Sequence, residues 1–140
     1  RIKHFISAFG EHVIAKEVEE AMQQAIEATG AKVNEFTVAP QITPETSELP
    51  YHEWLVEFEQ APKNLSKFIE TLDKSLQQQN SYYFDLIDGN ILQTLKVTKI
   101  KKDGFIDYMK SIGKLGGQNK VQRLGNDRKV ADALVKFRKP

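Results

Sequence analysis

The chain has 140 residues, which is enough for one domain with a modest core, and it lacks cysteine, which excludes disulfides and thiolate metal sites. Its net charge is +1, yet residues 101–140 hold eleven Lys/Arg and four Asp/Glu, a net of +7, so the first hundred residues carry −6. No apolar run approaches the roughly 18 residues of a membrane span and no signal peptide is present, so we expect a cytoplasmic domain with no membrane contact.

The first forty residues predict a strand, a helix and a second strand. A short apolar run that ends at Gly10 favours a strand over residues 2–9. Apolar residues spaced i, i+3, i+4 predict a helix over 15–29, and Gly30 is a natural C-terminal cap. Residues 31–41 predict the second strand, which a polar loop with two prolines follows.

The middle of the chain predicts a further strand and helix. Residues 52–59 alternate between apolar and polar, as a half-buried strand does, with one face formed by Trp54, Val56 and Phe58. A helix is predicted over 64–79, with Pro62 near its start, where proline is tolerated. The inward side chains of this helix are expected to be Leu65, Phe68, Ile69, Leu72 and Leu76.

Residues 81–100 permit two structures. Asp88-Gly89 is a strong short-range signal for a β-hairpin. The alternative is a short helix over 82–87 followed by a strand over 93–100.

Two short helices are predicted in the last forty residues. One lies within "GFIDYMKSIG", and the other within "DRKVADALVKF", with Asn126 or Asp127 as its N-cap. Together the elements predict an α+β fold, a small mixed sheet with helices packed on one face. The strands at 52–59 and 93–100 are expected to be neighbours in that sheet.

Motifs for chemistry are sparse. His4, His12 and His52 lack metal-ligand spacing, so no metal site is predicted. The sequence contains neither a nucleophile elbow nor a phosphate-binding P-loop, because "GKLGGQNK" lacks the Lys-Ser/Thr pair. The acidic residues Glu17, Glu19 and Glu20 suit the first turns of a helix, where they complement its dipole.

Two motifs carry a resemblance to a known family. "RIKHFISAFGEHVIAKEVEEAM" resembles the hinge motif of adenylate-forming enzymes, and "NKVQR" resembles their C-terminal catalytic-lysine motif, Gly-Lys-x-x-Arg, with Asn119 in place of the glycine. The stretches "KHFISAFGE", "YHEWLVEF", "NSYYFDL", "LKVTKIKKDGF" and "GGQNKVQR" are most similar to the auxin-responsive, Gretchen Hagen-type acyl-acid amido synthetases in their bacterial form. The resemblance covers nearly the whole chain, and it favours the helix over the hairpin at 82–87.

This resemblance implies a domain organisation and a reaction. Residues 1–140 would be the single, mobile C-terminal domain of a longer, cytoplasmic enzyme. An N-terminal domain outside this chain would bind most of the ATP, its Mg²⁺ and the carboxylic acid. The enzyme would adenylate the acid and transfer the acyl group to an amine such as an amino acid. The small domain would rotate between these steps, and this chain alone would be inactive.

The resemblance also implies roles for five residues. Lys120 would be catalytic, because a lysine on a mobile loop can stabilise charge that develops on a phosphate. Arg1 would bind ATP, and Lys3 would be the hinge whose backbone angles change on rotation. Gly10 would allow close approach at the acceptor channel. Arg123 would position the loop that carries Lys120.

A second class of function stays open. Alternating strands and helices also suit a ferredoxin-like regulatory or RNA-binding module, and the basic 101–140 region would suit nucleic acid. Against it, the strands lack the paired exposed aromatic residues of a ribonucleoprotein-type motif. Nucleic acid is therefore not the expected partner.

Overall fold

The fold comes from a computed structural model that describes residues 5–6, 9–42, 48–113 and 121–139. Its elements are, in chain order, β1 (Phe5–Ile6), β2 (Val13–Ile14), α1 (Ala15–Thr29), β3 (Lys32–Gln41), β4 (Tyr51–Gln60), α2 (Leu65–Gln79), α3 (Ser81–Asp88), β5 (Lys96–Lys99), α4 (Gly104–Ser111), α5 (Lys129–Leu134) and a 3₁₀ turn (Val135–Phe137). None of the helices described there is long and apolar enough to span a membrane.

The main sheet has the order β3–β4–β5 and mixes strand directions. β3 runs antiparallel to β4, with Phe36 opposite Val56, and β4 runs parallel to β5, with Trp54 opposite Val97. Strands β1 and β2 form a separate antiparallel pair. The predicted mixed α+β fold is therefore confirmed, and so is the adjacency of the strands at 52–59 and 93–100.

Apolar residues on the two sides of β4 explain where the helices lie. Trp54 and Val56 belong to a core shared with α1 and α2, whereas Leu55 belongs to a second core with residues of α4 and α5. Because successive side chains of a strand point to opposite faces, the sheet is covered on both faces. The prediction that helices cover only one face was wrong, because β4 is buried on both of its faces.

Asn80 explains why residues 81–88 form a helix rather than one arm of a hairpin. Its backbone N–H donates to Leu76 O at 2.9 Å and closes α2, while its side-chain oxygen accepts from the backbone N–H of Tyr83 at 3.0 Å and opens α3. One asparagine thus ends one helix and caps the next. At the other end of α3, Gly89 donates to Asp85 O at 2.9 Å as a C-terminal cap rather than turning a hairpin.

The last helix begins later than predicted. Its N-cap is Arg128, which makes no side-chain capping bond, so the prediction of Asn126 or Asp127 as the cap was wrong. Asp127 instead accepts from the backbone N–H of Lys129 at 3.0 Å, which forms a tight turn before the helix. The guanidinium of Arg128 is used elsewhere, because its Nη1 donates to Glu53 Oε1 of the sheet at 2.6 Å.

We expect Gly104→Ala to destabilise the domain by about 2 kcal/mol, since an added Cβ would overlap Ile100 Cγ2 and lie 3.2 Å from Phe137 Cβ. Gly125→Ala is the matched control, because the nearest atom to its added Cβ would be Gln122 Oε1 at 3.8 Å. Urea unfolding of both variants measures the difference. Equal stability of the two variants would contradict the close packing of α4 against the C-terminal segment.

Candidate functional site

The five predicted site residues divide into two groups. Arg1, Lys3 and Lys120 lie outside the described residues, so their predicted roles stay predictions. Gly10 and Arg123 lie within them.

The segment that follows Lys120 is held against the edge strand β3. The backbone N–H of Val38 donates to Arg123 O at 3.0 Å, and Gly125 N–H donates to Val38 O at 3.0 Å. Thr37 Oγ1 also donates to Gln122 O at 2.6 Å. These three bonds fix the backbone two to five residues after the predicted catalytic lysine.

The side chain of Arg123 adds a second anchor. Its Nη1 donates to Glu35 Oε1 at 2.5 Å and to the backbone oxygen of Phe36 at 2.7 Å, and its Nε donates to Glu19 Oε1 at 3.3 Å. The guanidinium also lies over the Phe36 ring, 4.1 Å from its centre. Arg123 therefore joins the loop segment to both β3 and α1, a geometry that suits the predicted positioning role.

Arg123→Ala should destabilise the isolated chain by about 1 kcal/mol, a value kept small because the side chain is 29% exposed and its ion pairs are partly screened by solvent. The Val38 amide should also exchange with solvent faster, because its acceptor is the backbone oxygen of Arg123. Arg138→Ala is the control, since its exposed side chain makes no charge contact in the described part of the chain. Unchanged exchange at Val38 would argue against the anchor.

Gly10 lies at a bend where backbone conformation is restricted. Its φ is +89°, in the region that favours glycine, and the position of an added Cβ has no atom within 4 Å. Glycine is thus required here by backbone angle, while the predicted approach of an acceptor stays a prediction.

The residue after Gly10 forms a buried polar pair that the sequence alone did not predict. Glu11 Oε2 lies 2.7 Å from His52 Nε2, and neither side chain has any exposed surface. Glu11 Oε1 accepts the backbone N–H of Phe9 at 2.8 Å. Burial raises the pKa of Glu11, but the hydrogen bond and charge of His52 outweigh it, so the pKa lies below its ordinary value.

The α2–α3 junction holds the same segment from another side. Asn80 Nδ2 donates to the backbone oxygen of Glu11 at 2.9 Å and to Glu17 Oε1 at 3.1 Å. Glu17 Oε1 also accepts the backbone N–H of Ile14 at 3.0 Å, and Gln79 Nε2 donates to Glu17 O at 2.9 Å. Glu17 therefore does more than complement the helix dipole, because its carboxylate also accepts a hydrogen bond from the Asn80 side-chain amide.

Tyr83 closes this buried network behind His52. The two rings are 5.2 Å apart, and the Tyr83 hydroxyl donates to Asp73 Oδ1 at 2.5 Å. Burial, followed by the charge of Asp73, raises the pKa of Tyr83 well above its ordinary value. The hydroxyl therefore stays protonated and acts as a permanent donor.

Four lysines line one cleft, and three of them belong to the last forty residues. A cleft of about 500 Å³ is lined by Lys99, Lys101, Lys102 and Lys139, with Phe58 and Ile100 beside them. Among the residues that the structure describes, no group of three or more His, Asp or Glu side chains is arranged to hold a metal ion.

The sequence of this chain matches a known protein family. The sequence model of the GH3 family C-terminal domain matches residues 16–129. The chain belongs to the GH3 family. The matched range includes both Lys120 and Arg123, whereas the first fifteen residues of the hinge-like motif, with Arg1, Lys3 and Gly10, lie outside it. A search of curated protein sequences gave no match.

Solved structures support the fold of this GH3 domain. The chain is similar to "AtGH3.15 acyl acid amido synthetase in complex with 2,4-DB", with a TM-score of 0.74 and 16% identity over 100% of this chain. It is also similar to "GH3.15 acyl acid amido synthetase", with a TM-score of 0.77 and 15% identity over 99% of this chain. The chain spans 26% and 27% of the lengths of those two proteins.

Proposed function

We propose that this GH3 domain is the mobile C-terminal part of an ATP-dependent acyl acid amido synthetase. Support comes from the family match over residues 16–129 and from the short fraction of the two similar chains that it spans. The remaining length would hold an N-terminal domain, the principal partner of this chain. These observations favour the amide ligase over a ferredoxin-like RNA-binding module.

The proposed reaction has two steps. A carboxylate oxygen of the acid attacks the α-phosphorus of ATP, the bond to pyrophosphate breaks, and acyl-AMP forms. The amine nitrogen then attacks the acyl carbon, AMP leaves with the bonding electrons, and the nitrogen loses a proton to give the amide.

Lys120 would act in the first step only. Negative charge accumulates on the phosphate oxygens as the carboxylate attacks. A fixed ammonium group therefore stabilises the transition state more than it stabilises the ground state. The observation that carries this assignment is the anchored segment from Gln122 to Gly125, with the Arg123 guanidinium bonded to Glu35 and Phe36. This anchor fixes the backbone from Gln122 to Gly125 to strand β3.

Three residues would serve the junction between the domains. Arg1 would contact the ribose or phosphates of ATP, and Lys3 would be the hinge at which the domain rotates. Gly10 would leave space for the incoming amine. The rotation would remove Lys120 and bring the Gly10 side of the domain to the adenylate.

ATP and Mg²⁺ would be bound mainly by the N-terminal domain, in a cytoplasmic enzyme. The described residues of this chain contain no cluster of three or more carboxylate or imidazole side chains that could hold a metal ion. The chemistry that this chain would contribute is the charge of Lys120 and of Arg1.

The isolated chain should catalyse no exchange between ATP and pyrophosphate, because one lysine and a hinge cannot bind ATP productively. The full-length protein should catalyse exchange that depends on an added carboxylic acid. Radiolabelled pyrophosphate assays on both proteins test the assignment. Exchange by the isolated chain, or exchange by the full-length protein that needs no acid, would contradict it.

A further inference from the structure

We propose that Glu11 and His52 are positioning residues that clamp the turn after the hinge to the central strand of the sheet. The domain would then rotate as a rigid body that includes this turn and the β1–β2 pair on either side of it. The role of this clamp in catalysis rests on the proposed function, whereas the contact between Glu11 and His52 is present in this chain whatever its activity.

The two oxygens of the Glu11 carboxylate join the turn to the sheet. Oε1 accepts the backbone N–H of Phe9 at 2.8 Å, across Gly10 with its φ of +89°. Oε2 forms a hydrogen bond of 2.7 Å with Nε2 of His52, which lies on strand β4. The carboxylate thus fixes the turn internally and also fixes it to the sheet.

Complete burial makes this arrangement rigid. A buried carboxylate is strongly unfavourable unless it is paired and hydrogen-bonded, so a movement that separates Glu11 from His52 would leave both groups unsatisfied. His52 has no freedom to follow such a movement, because Tyr83 packs against its ring and bonds to Asp73. His52 Nδ1 is buried without a hydrogen-bond partner in the described part of the chain.

Other contacts extend the clamp along the chain. Asn80 bonds to the backbone oxygens of Glu11 and His12, at 2.9 and 3.3 Å, and to the carboxylate of Glu17. The segment from Phe9 to the start of α1 is therefore held by β4 and by the α2–α3 junction.

A clamp at this place has a distinct kinetic consequence. If backbone rotation is confined to residues before β1, both orientations of the domain depend on the same rigid turn. Loss of the clamp would lower the population of both orientations and so slow both half-reactions. If Lys120 acts in chemistry alone, its loss would slow only the first half-reaction. Kinetics of the two half-reactions therefore distinguish a catalytic residue from a positioning residue.

Amide exchange of the isolated chain tests the clamp without reference to catalysis. Glu11→Ala should accelerate exchange of the Phe9 amide by about tenfold or more, because its acceptor is removed. Glu11→Gln keeps an acceptor for Phe9 and should restore part of the protection. Glu70→Gln, at an exposed ion pair with Lys74, is the control and should change nothing at Phe9. The Gly30 amide, bonded to Ile26 O in every variant, reports whether the domain is folded.

Kinetics of the full-length protein test the use of the clamp. Glu11→Ala should reduce the rates of pyrophosphate exchange and of amide formation by similar factors, about tenfold, with the KM for ATP nearly unchanged. His52→Gln, which keeps a donor for Glu11, is a second variant should Glu11→Ala fail to fold, and its losses should be smaller but equally shared. Unchanged Phe9 exchange in a folded Glu11→Ala chain, or full rates in both half-reactions, would overturn the clamp. If the wild-type protein shows neither half-reaction, the proposed function fails, and amide exchange alone still decides the clamp.

Discussion

Replacement of Lys120 by alanine in the full-length protein should slow acyl-adenylate formation about a hundredfold. An oriented positive charge at a transition state of phosphoryl attack commonly contributes on the order of 3 kcal/mol. Release of pyrophosphate in a single turnover measures this rate. Lys114→Ala is a matched control, because it removes a lysine six residues upstream in the same glycine-rich stretch.

Amide formation from presynthesised acyl-adenylate should be nearly unaffected in the same variant, because Lys120 would have rotated away before the amine attacks. The ratio of the two losses is therefore the informative quantity. Equal losses in both steps, or a loss in Lys114→Ala as large as that in Lys120→Ala, would mean that Lys120 supports the loop rather than the chemistry.

His52→Leu should have the second large effect, a loss of about 3 kcal/mol in the free energy of unfolding of the isolated chain. The substitution leaves the Glu11 carboxylate buried without its partner, and breaking a buried pair from one side typically costs about 3–5 kcal/mol. The double variant Glu11→Leu/His52→Leu should recover much of that stability, since it leaves no charge unpaired. Urea unfolding of both single variants and the double variant measures the coupling, and strictly additive losses would contradict the pair.

The Glu11 contribution should also depend on pH. Its pKa in the folded chain is lowered from the ordinary value of 4.5, so its stabilising effect is fully present above that value. The effect should then be lost as the pH falls through the lowered native pKa. The stability difference between wild type and Glu11→Gln should accordingly shrink in acid. A difference that grows as the pH falls below 4.5 would mean that the sign of the shift is wrong.

The long elements of the fold could be predicted from sequence because their patterns are local. The apolar spacing of residues 15–29 and the cap at Gly30 define α1, and the alternation in 52–59 defines β4. Residues 81–88 were ambiguous, because Asp88-Gly89 suits a hairpin as well as a helix end. The ambiguity is resolved by Asn80, whose side chain opens α3.

The polar contacts of the site could not be predicted, because they join residues far apart in sequence. Glu11 and His52 are 41 residues apart, and Arg123 and Glu35 are 88 apart. His52 occupies a polar position within the alternating strand β4, and such an alternation gives no sign that both faces of the strand are buried. The predicted cap of the last helix was wrong for a related reason. Its N-cap, Arg128, forms an ion pair with Glu53, which is far from it in sequence.

The most direct test of the proposed activity follows oxygen through the reaction of the full-length protein. With a carboxylic acid labelled with ¹⁸O in both oxygens, ATP and an accepting amino acid, attack on the α-phosphorus must transfer one labelled oxygen to AMP. We predict one ¹⁸O in the AMP phosphate for each amide formed, and little label in AMP during the first turnover of Lys120→Ala. Unlabelled AMP beside a labelled amide, or formation of ADP and phosphate instead of AMP and pyrophosphate, would contradict the assignment of this GH3 domain to an adenylate-forming amide synthetase.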